Sequence, residues 1–417
     1  MSTSKIASKC VVASMFSLVA CVDIGSDEPD GNADQSLSTR APQCSAKRRA
    51  EILEKVSANK TNVHLDCSLT FPSQSAEITK TLILQGAVAS NIDIDCKGGK
   101  ISNAQKEAIA TDGFKKVALF IVPKKVKDSA DGGVYERPQG VRIKNCIIEG
   151  ITMVQAPGGL IESSTLDTNH TKRVQGKAVT DLVFDNVRFV ARGEVALYLG
   201  SGTTKTKVLR SRFAGGSGEK PGVYLDAETA NNVFEGNVFE SRISSKRETV
   251  AIDGSANNIF RNNVFYGTYN VLNFYRNCGE GKVVRMQSPV GNLIEGNQFV
   301  GASATVIVPD PGGPAFTATT PALDMLAIFG SRNGRTRLGS YGYCGDDKGV
   351  SWGSAVDDRD HADNNKFINN KIVRPDAEIA VGASADTSGI VIVKGGDANA
   401  RGNIVSGNSF VDRISVQ

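Results

Sequence analysis

One run of apolar and polar positions recurs along the second half of the chain. Asn-x-apolar-x-x-Asn-x-apolar occurs five times: Asn232, Phe234, Asn237, Phe239; Asn258, Phe260, Asn263, Phe265; Asn292, Ile294, Asn297, Phe299; Asn365, Phe367, Asn370, Ile372; and Asn403, Val405, Asn408, Phe410. Looser copies precede it at Ile143, Cys146, Ile148; at Phe184, Val187, Phe189; and at Val208, Ser211, Phe213. The closing apolar positions are 148, 189, 213, 239, 265, 299, 372 and 410, and three successive steps are 24, 26 and 26 residues. A period near 25 built from short β-rich runs, without helical spacing, predicts coils of parallel strands stacked on one another. Neighbouring strands then lie about 4.8 Å apart, so an inward Asn at the same bend of each coil can bond the next. Such a ladder satisfies amides that burial would otherwise leave alone, with Phe and Ile stacked beside it.

From about Leu82 to the C-terminus these residues resemble the right-handed parallel β-helix superfamily, the pectate lyase-like proteins. The expectation is an all-β chain: a single right-handed parallel β-helix (a solenoid) over residues 41–417 with an N-terminal capping helix. An open coil exposes core and strand edges, so a cap is needed. Residues 45–59 are its candidate, with Ala50, Leu53 and Val56 at three-residue spacing.

The first 20 residues stand apart. Lys5 and Lys9 give a basic start, and Val11 to Ala20 is an apolar run too short to span a bilayer comfortably. Leu18-Val19-Ala20-Cys21 resembles the lipobox of bacterial lipoproteins. That implies cleavage of a signal peptide (residues 1–20), lipidation of Cys21 and a lipid-anchored place in the cell envelope, with the membrane as partner. The alternative is an ordinary signal peptide cut nearby. Residues 21–40 are acidic and small and read as a flexible tether.

Export decides how the cysteines are read. Setting aside Cys10 and Cys21 leaves six. Cys44 with Cys67, and Cys278 with Cys344, each flank a local insertion and are the expected disulfides. Cys96 and Cys146 are either bonded or buried as small apolar residues.

Composition narrows the function classes. The 417 residues hold 43 Gly and 22% charged residues, against 40% hydrophobic, which excludes a disordered chain, a collagen and a multispanning membrane protein. A net charge of +4 gives no argument for nucleic acid as a partner.

Strand parity sorts the candidate chemistry. In Val223-Tyr224-Leu225-Asp226, Tyr224 and Asp226 should face outward; so should Asp253 in the next coil, and Asn273 and Tyr275 in the one after, followed by Arg276. The superfamily resemblance implies a substrate groove along this face. Loops carrying Lys246 and Arg247 would wall it, with Arg285 and Gln287 in the insertion near 276–290 and a longer insertion near 310–363. The expected catalytic set is Asp226, Asp253, Tyr275, Arg276 and Arg285; the expected substrate-binding set is Tyr224, Lys246, Arg247, Asn273 and Gln287.

Asp226 and Asp253 should sit at equivalent positions on adjacent coils. They then form a glycosidase acid/base pair, or bind Ca²⁺, or pair with Lys246, Arg247 or Arg276. The stretch from Glu248 to Arg276 loosely resembles alginate and chondroitin lyases of the β-helix class, except that Asp253 stands where their Lys base lies. In a lyase, Tyr275, Lys246 or Arg247 would abstract the proton α to a uronate carboxylate that Arg276 or Arg285 neutralises.

The implied function is action on polysaccharide as a lyase or hydrolase of acidic glycans. A non-catalytic glycan-binding or surface-scaffold protein is the alternative. A second face carries Arg142, Lys144, Arg188, Lys207, Arg210, Arg212, Arg261, Lys366 and Lys371. It either grips an acidic polysaccharide or lipid surface, or is a solvated face whose charges block lateral strand pairing. His64, His170 and His361 are widely separated and offer no zinc spacing. Gly349-Val350-Ser351-Trp352-Gly353 fits a nucleophile-elbow pattern without the strand-turn-helix it needs.

Overall fold

The computed structural model describes residues 39–109, 115–130, 132–158, 168–217, 220–240, 248–266, 271–275, 286–300, 363–373 and 404–411. Among them the chain is a single right-handed parallel β-helix. Each coil passes through three sheets in turn. The first sheet has eight strands and includes Leu197–Leu199, Val223–Leu225, Val250–Asp253 and Leu272–Tyr275. The second and third sheets have ten each. For one coil these strands are Lys207–Leu209 and Arg212–Gly216, and for the next Val233–Glu235 and Val238–Phe239.

The register is the one the repeat predicts. Ile148, Phe189, Phe213, Phe239, Phe265, Phe299, Ile372 and Phe410 pair in succession along the third sheet. Five of them form a ring column, with centroids 4.8, 4.6, 4.4 and 5.1 Å apart from Phe189 to Phe299. Those separations follow the strand spacing, so the sheet's hydrogen bonds and ring packing share one repeat.

Two Asn ladders run beside this core. One passes through Asn232, Asn258, Asn292 and Asn365, with each Nδ2 donating to the next Oδ1 at 3.0, 2.8 and 3.0 Å. The other passes through Asn237, Asn263, Asn297, Asn370 and Asn408. Asn263 shows how complete the bonding is. Its Oδ1 accepts from the backbone N and the Nδ2 of Asn237 at 2.9 and 3.0 Å, and its Nδ2 donates to Asn297 Oδ1 and Phe234 O, each at 2.9 Å. No polar group of that buried amide is left over.

The bend before the third sheet needs left-handed backbone, which Asn and Gly adopt most readily. Asn145, Asn186, Arg210, Gly236, Asn262, Gly296, Asn369 and Gly407 occupy it, all with φ between 46° and 65°. A Cβ on Gly296 would also come within 2.8 Å of Asn262 Oδ1.

The N-terminal helix runs Ala46–Leu53 and stops short of Asn59. Ser45 caps it, its Oγ accepting from Arg48 N at 3.1 Å. Its buried residue is Ile52; Ala50 is exposed, so the inward face is offset from the three-residue spacing. Cys44 and Cys67 are bonded, as expected. Cys96 and Cys146, left open by the sequence, are also bonded. Cys278 and Cys344 lie outside the described residues. No helix among the described residues is long and apolar enough to cross a membrane, and Cys21 with residues 1–38 is not among them.

Candidate functional site

The outer face of the first sheet is set by its register. Tyr198 lies opposite Tyr224, Tyr224 opposite Ala251, and Ala251 opposite Asn273. Both tyrosines are half-buried, and their ring centroids are 5.6 Å apart at an interplanar angle of 29°.

The two aspartates occupy equivalent positions one coil apart, but they do not face solvent. Asp226 is 3% exposed and Asp253 is fully buried. Their burial comes from cover and not from direction, since tyrosines of the outer face donate to both carboxylates. Val223–Leu225 ends before Asp226, and the chain then turns through the buried Ala227. Asp226 therefore follows the corner, where its Oδ1 accepts from Ala227 N at 2.8 Å. Asp253 closes its strand and is buried like the other three residues of it.

Hydroxyl donors reach both carboxylates. Tyr198 Oη donates to Asp226 Oδ2 at 2.5 Å and Ser201 Oγ donates to the same oxygen at 3.1 Å. Tyr224 Oη donates to Asp253 Oδ2 at 2.7 Å. Each tyrosine thus reaches diagonally to the carboxylate of the following coil. Such charge-assisted bonds are short and strong, and they fix the ring as well as the acid.

This arrangement decides against a direct acid/base pair. Neither carboxylate is presented to a glycosidic oxygen. Among the described residues no three His, Cys, Asp or Glu side chains gather to hold a metal ion. Asp226 and Asp253 do not by themselves make the shell of roughly six to eight oxygens that Ca²⁺ takes.

Gln287 is also placed differently from expectation. Its Nε2 donates to Thr229 O at 2.7 Å and Gly254 O at 2.9 Å, tying two coils together. Its Oε1 accepts from Gln175 Nε2 at 3.1 Å. Beside it Glu228 is buried at the bend after Asp226, accepting from Thr171 Oγ1 and Met286 N, both at 2.5 Å, with His170 Nδ1 3.6 Å away. Gln287 and His170 therefore belong to a buried polar hub that pins the helix His170–Lys177 to the solenoid.

Lys246, Arg247, Arg276 and Arg285 lie outside the described residues. Asn273 and Tyr275 are placed by backbone: Asn273 opposite Ala251, and Tyr275 opposite Asp253. Tyr198 escaped the sequence reading, although a signal was present. Leu197-Tyr198-Leu199 and Val223-Tyr224-Leu225 are the same apolar-Tyr-Leu run one period apart.

Several solved structures share a likeness with the chain at low identity. One is tailspike protein 2 of an Escherichia coli O157:H7 bacteriophage, at 11% identity and TM-score 0.38, covering 75% of this chain and 37% of that one. Another is an alginate lyase from Paenibacillus, at 10% identity and TM-score 0.27, covering 63% of this chain and 92% of that one. A third is a PL6 family polysaccharide lyase from Pseudopedobacter saltans, at 12% identity and TM-score 0.25, covering 85% and 93%. The chain spans about two fifths of the tailspike's length or of its enzymatically active domain. No family model and no curated protein matches the chain.

Proposed function

We propose that the chain is an exported, lipid-anchored protein of the cell envelope that binds polysaccharide along the outer face of its first sheet. The observation that carries the binding reading is the in-register pair Tyr198 and Tyr224, each hydroxyl fixed by a buried aspartate. Rigid aromatic side chains contribute contact area at little entropic cost, and a solenoid face offers an extended surface suited to an extended ligand. Export is supported by the Cys44–Cys67 and Cys96–Cys146 bonds, which belong to an oxidising compartment. The anchor rests on Leu18-Val19-Ala20-Cys21, and Cys21→Ser should move the protein from the membrane to the soluble fraction.

A lyase or hydrolase of acidic glycans is the second reading, favoured by Tyr275 lying opposite Asp253 and directly before Arg276. One experiment separates the two. The chain is mixed with alginate, pectate, chondroitin or hyaluronan, and both retention and ultraviolet absorbance from unsaturated uronate ends are followed. Retention that Tyr198→Ala and Tyr224→Ala weaken, with a flat absorbance trace, fits a binder. Rising absorbance identifies a lyase. Reducing ends released without absorbance identify a hydrolase. No retention and no product with any polymer would end the polysaccharide reading for this face.

A further inference from the structure

At the bend between the second and third sheets, away from the tyrosine face, a groove of about 490 Å³ crosses four coils. Lys97, Asn145, Asn186, Arg188, Arg210 and Arg212 supply its polar lining, and no Asp or Glu lines it. A volume of that size suits a short oligomeric ligand.

The charges around it do not cancel. Arg188 and Arg212 stand directly opposite each other on neighbouring parallel strands. Like charges so placed are destabilising unless something offsets them. Glu240 pairs with Arg212, and Asp185 accepts twice from Arg210 Nη2, at 2.7 and 2.5 Å. The guanidinium of Arg188 and the ammonium of Lys97 have no such partner among the described residues. On the second sheet charges of opposite sign face each other from one strand to the next and do pair, as in Lys144 with Asp95 and Arg261 with Glu235. A solvated face with blocking charges accounts for those pairs. It does not account for the basic groove.

Arg210 adds a second oddity. It holds the left-handed bend, at φ 46°, where Asn or Gly stands in the other coils from Asn145 onward and Lys97 stands at φ 49° in the coil before them. A long side chain there carries a backbone cost, and that conformation is one from which a functional role is reasonably sought.

We infer that this groove binds the carboxylate or sulfate groups of an anionic sugar chain, with Arg188 as its principal anchor. Guanidinium groups grip such planar or tetrahedral oxyanions through paired hydrogen bonds. The amides of Asn145 and Asn186, linked to each other and to Asp95, form a polar wall between Lys97 and the arginines. The lining holds no aromatic residue on which a nucleic-acid base could stack. A recessed groove also suits a narrow chain better than a flat membrane. The site is separate from the Tyr198 and Tyr224 face and does not depend on it.

The test uses the full-length chain in nonionic detergent, with polygalacturonate and chondroitin sulfate as probes. Neutral dextran, an oligothymidylate and phosphatidylserine vesicles are compared at the same ionic strength. Arg188→Ala should weaken binding to the anionic glycans about tenfold or more, and Arg188→Glu should weaken it further. Because Arg188 is exposed and opposes Arg212, the melting temperature of Arg188→Ala should stay level or rise. Lys366→Ala, an exposed basic residue of the second sheet outside the groove lining, should leave this binding intact, which separates the groove from basic charge in general. Binding by Arg188→Ala within about twofold of the parent would overturn the proposal. So would a preference for the oligonucleotide or the vesicles that is lost with Arg188, since the ligand class would then be wrong.

Discussion

The early and late coils of the solenoid are held at the same bend by different chemistry. Ahead of Ile147 the bend carries the Cys96–Cys146 bond. Ahead of Arg212 it carries Ser211, whose Oγ accepts from Val187 N at 3.0 Å. From Val238 onward it carries the Asn ladder, whose first carboxamide oxygen accepts from Ser211 N at 2.8 Å. One bend thus passes from a covalent staple through a hydroxyl to a row of amides. Where coils keep the same bend, whatever the length of the loops between, a repeating hydrogen bond can propagate from each to the next. In the early coils, which the repeat fits only loosely, a bond that does not need periodicity does the same work.

The sharpest way to break the comparison is Asn263→Leu. It strands two donors of Asn237 in the buried core and takes one donor each from Phe234 O and Asn297 Oδ1, the latter still accepting from the backbone N of residue 263. With each orphaned group costing about 1–3 kcal/mol, the expected loss is about 4 kcal/mol or more, read by chemical denaturation. A loss below about 1 kcal/mol would mean that the ladder is incidental to the ring column.

Next is Cys96→Ala with Cys146→Ala. The bond closes a separation of 50 residues, so chain entropy assigns it about 4 kcal/mol. Hydrogen exchange should show the early coils loosened and the Asn-rich coils unchanged. Equal loosening of both would mean that the two fastenings are not independent.

Tyr224→Phe sharpens the comparison on the outer face. It removes the hydroxyl that donates to buried Asp253, and about 2 kcal/mol of stability should go with it. An unchanged denaturation midpoint would show that other contacts satisfy the carboxylate.

The smallest effect concerns acid. Burial pushes the Asp95 carboxyl up, but bonds from Asn145 and Lys97 N and the charge of Lys144 outweigh it and hold the group below its ordinary value. A depressed carboxylate contributes stability above its unfolded pKa of about 3.9, and that contribution is lost as pH falls through the folded value. The early coils should therefore soften in that acid range, and Asp95→Asn should flatten the pH slope. A slope unchanged by Asp95→Asn would assign the acid sensitivity to another group.

Legibility in the sequence followed the same division. The Asn pattern reported both ladders and the stacked Phe positions because every coil repeats the same geometry. Cys96 and Cys146 stayed open because no spacing rule ties two cysteines on adjacent irregular coils. Asp226 and Asp253 lie on the side that alternation predicts, but alternation gives direction and not cover, and the hydroxyls of Tyr198 and Tyr224 close over both. Gln287 was read as a ligand contact because sequence alone cannot show that carbonyls of two coils await its amide.

The ladders also have a direction. Every carboxamide oxygen in them faces the preceding coil and receives that coil's donors, as in Asn258 from Asn232 and Asn297 from Asn263. Their dipoles therefore add along the solenoid axis, as peptide dipoles add along a helix. The negative end lies toward the earlier coils, where the backbone N–H groups of Thr206 and Ser211 meet it. Each amide polarises the next, so an interior member such as Asn297 is bound more tightly than one at either end. A substitution in the middle of a row would cut one long electrostatic column into two weaker ones.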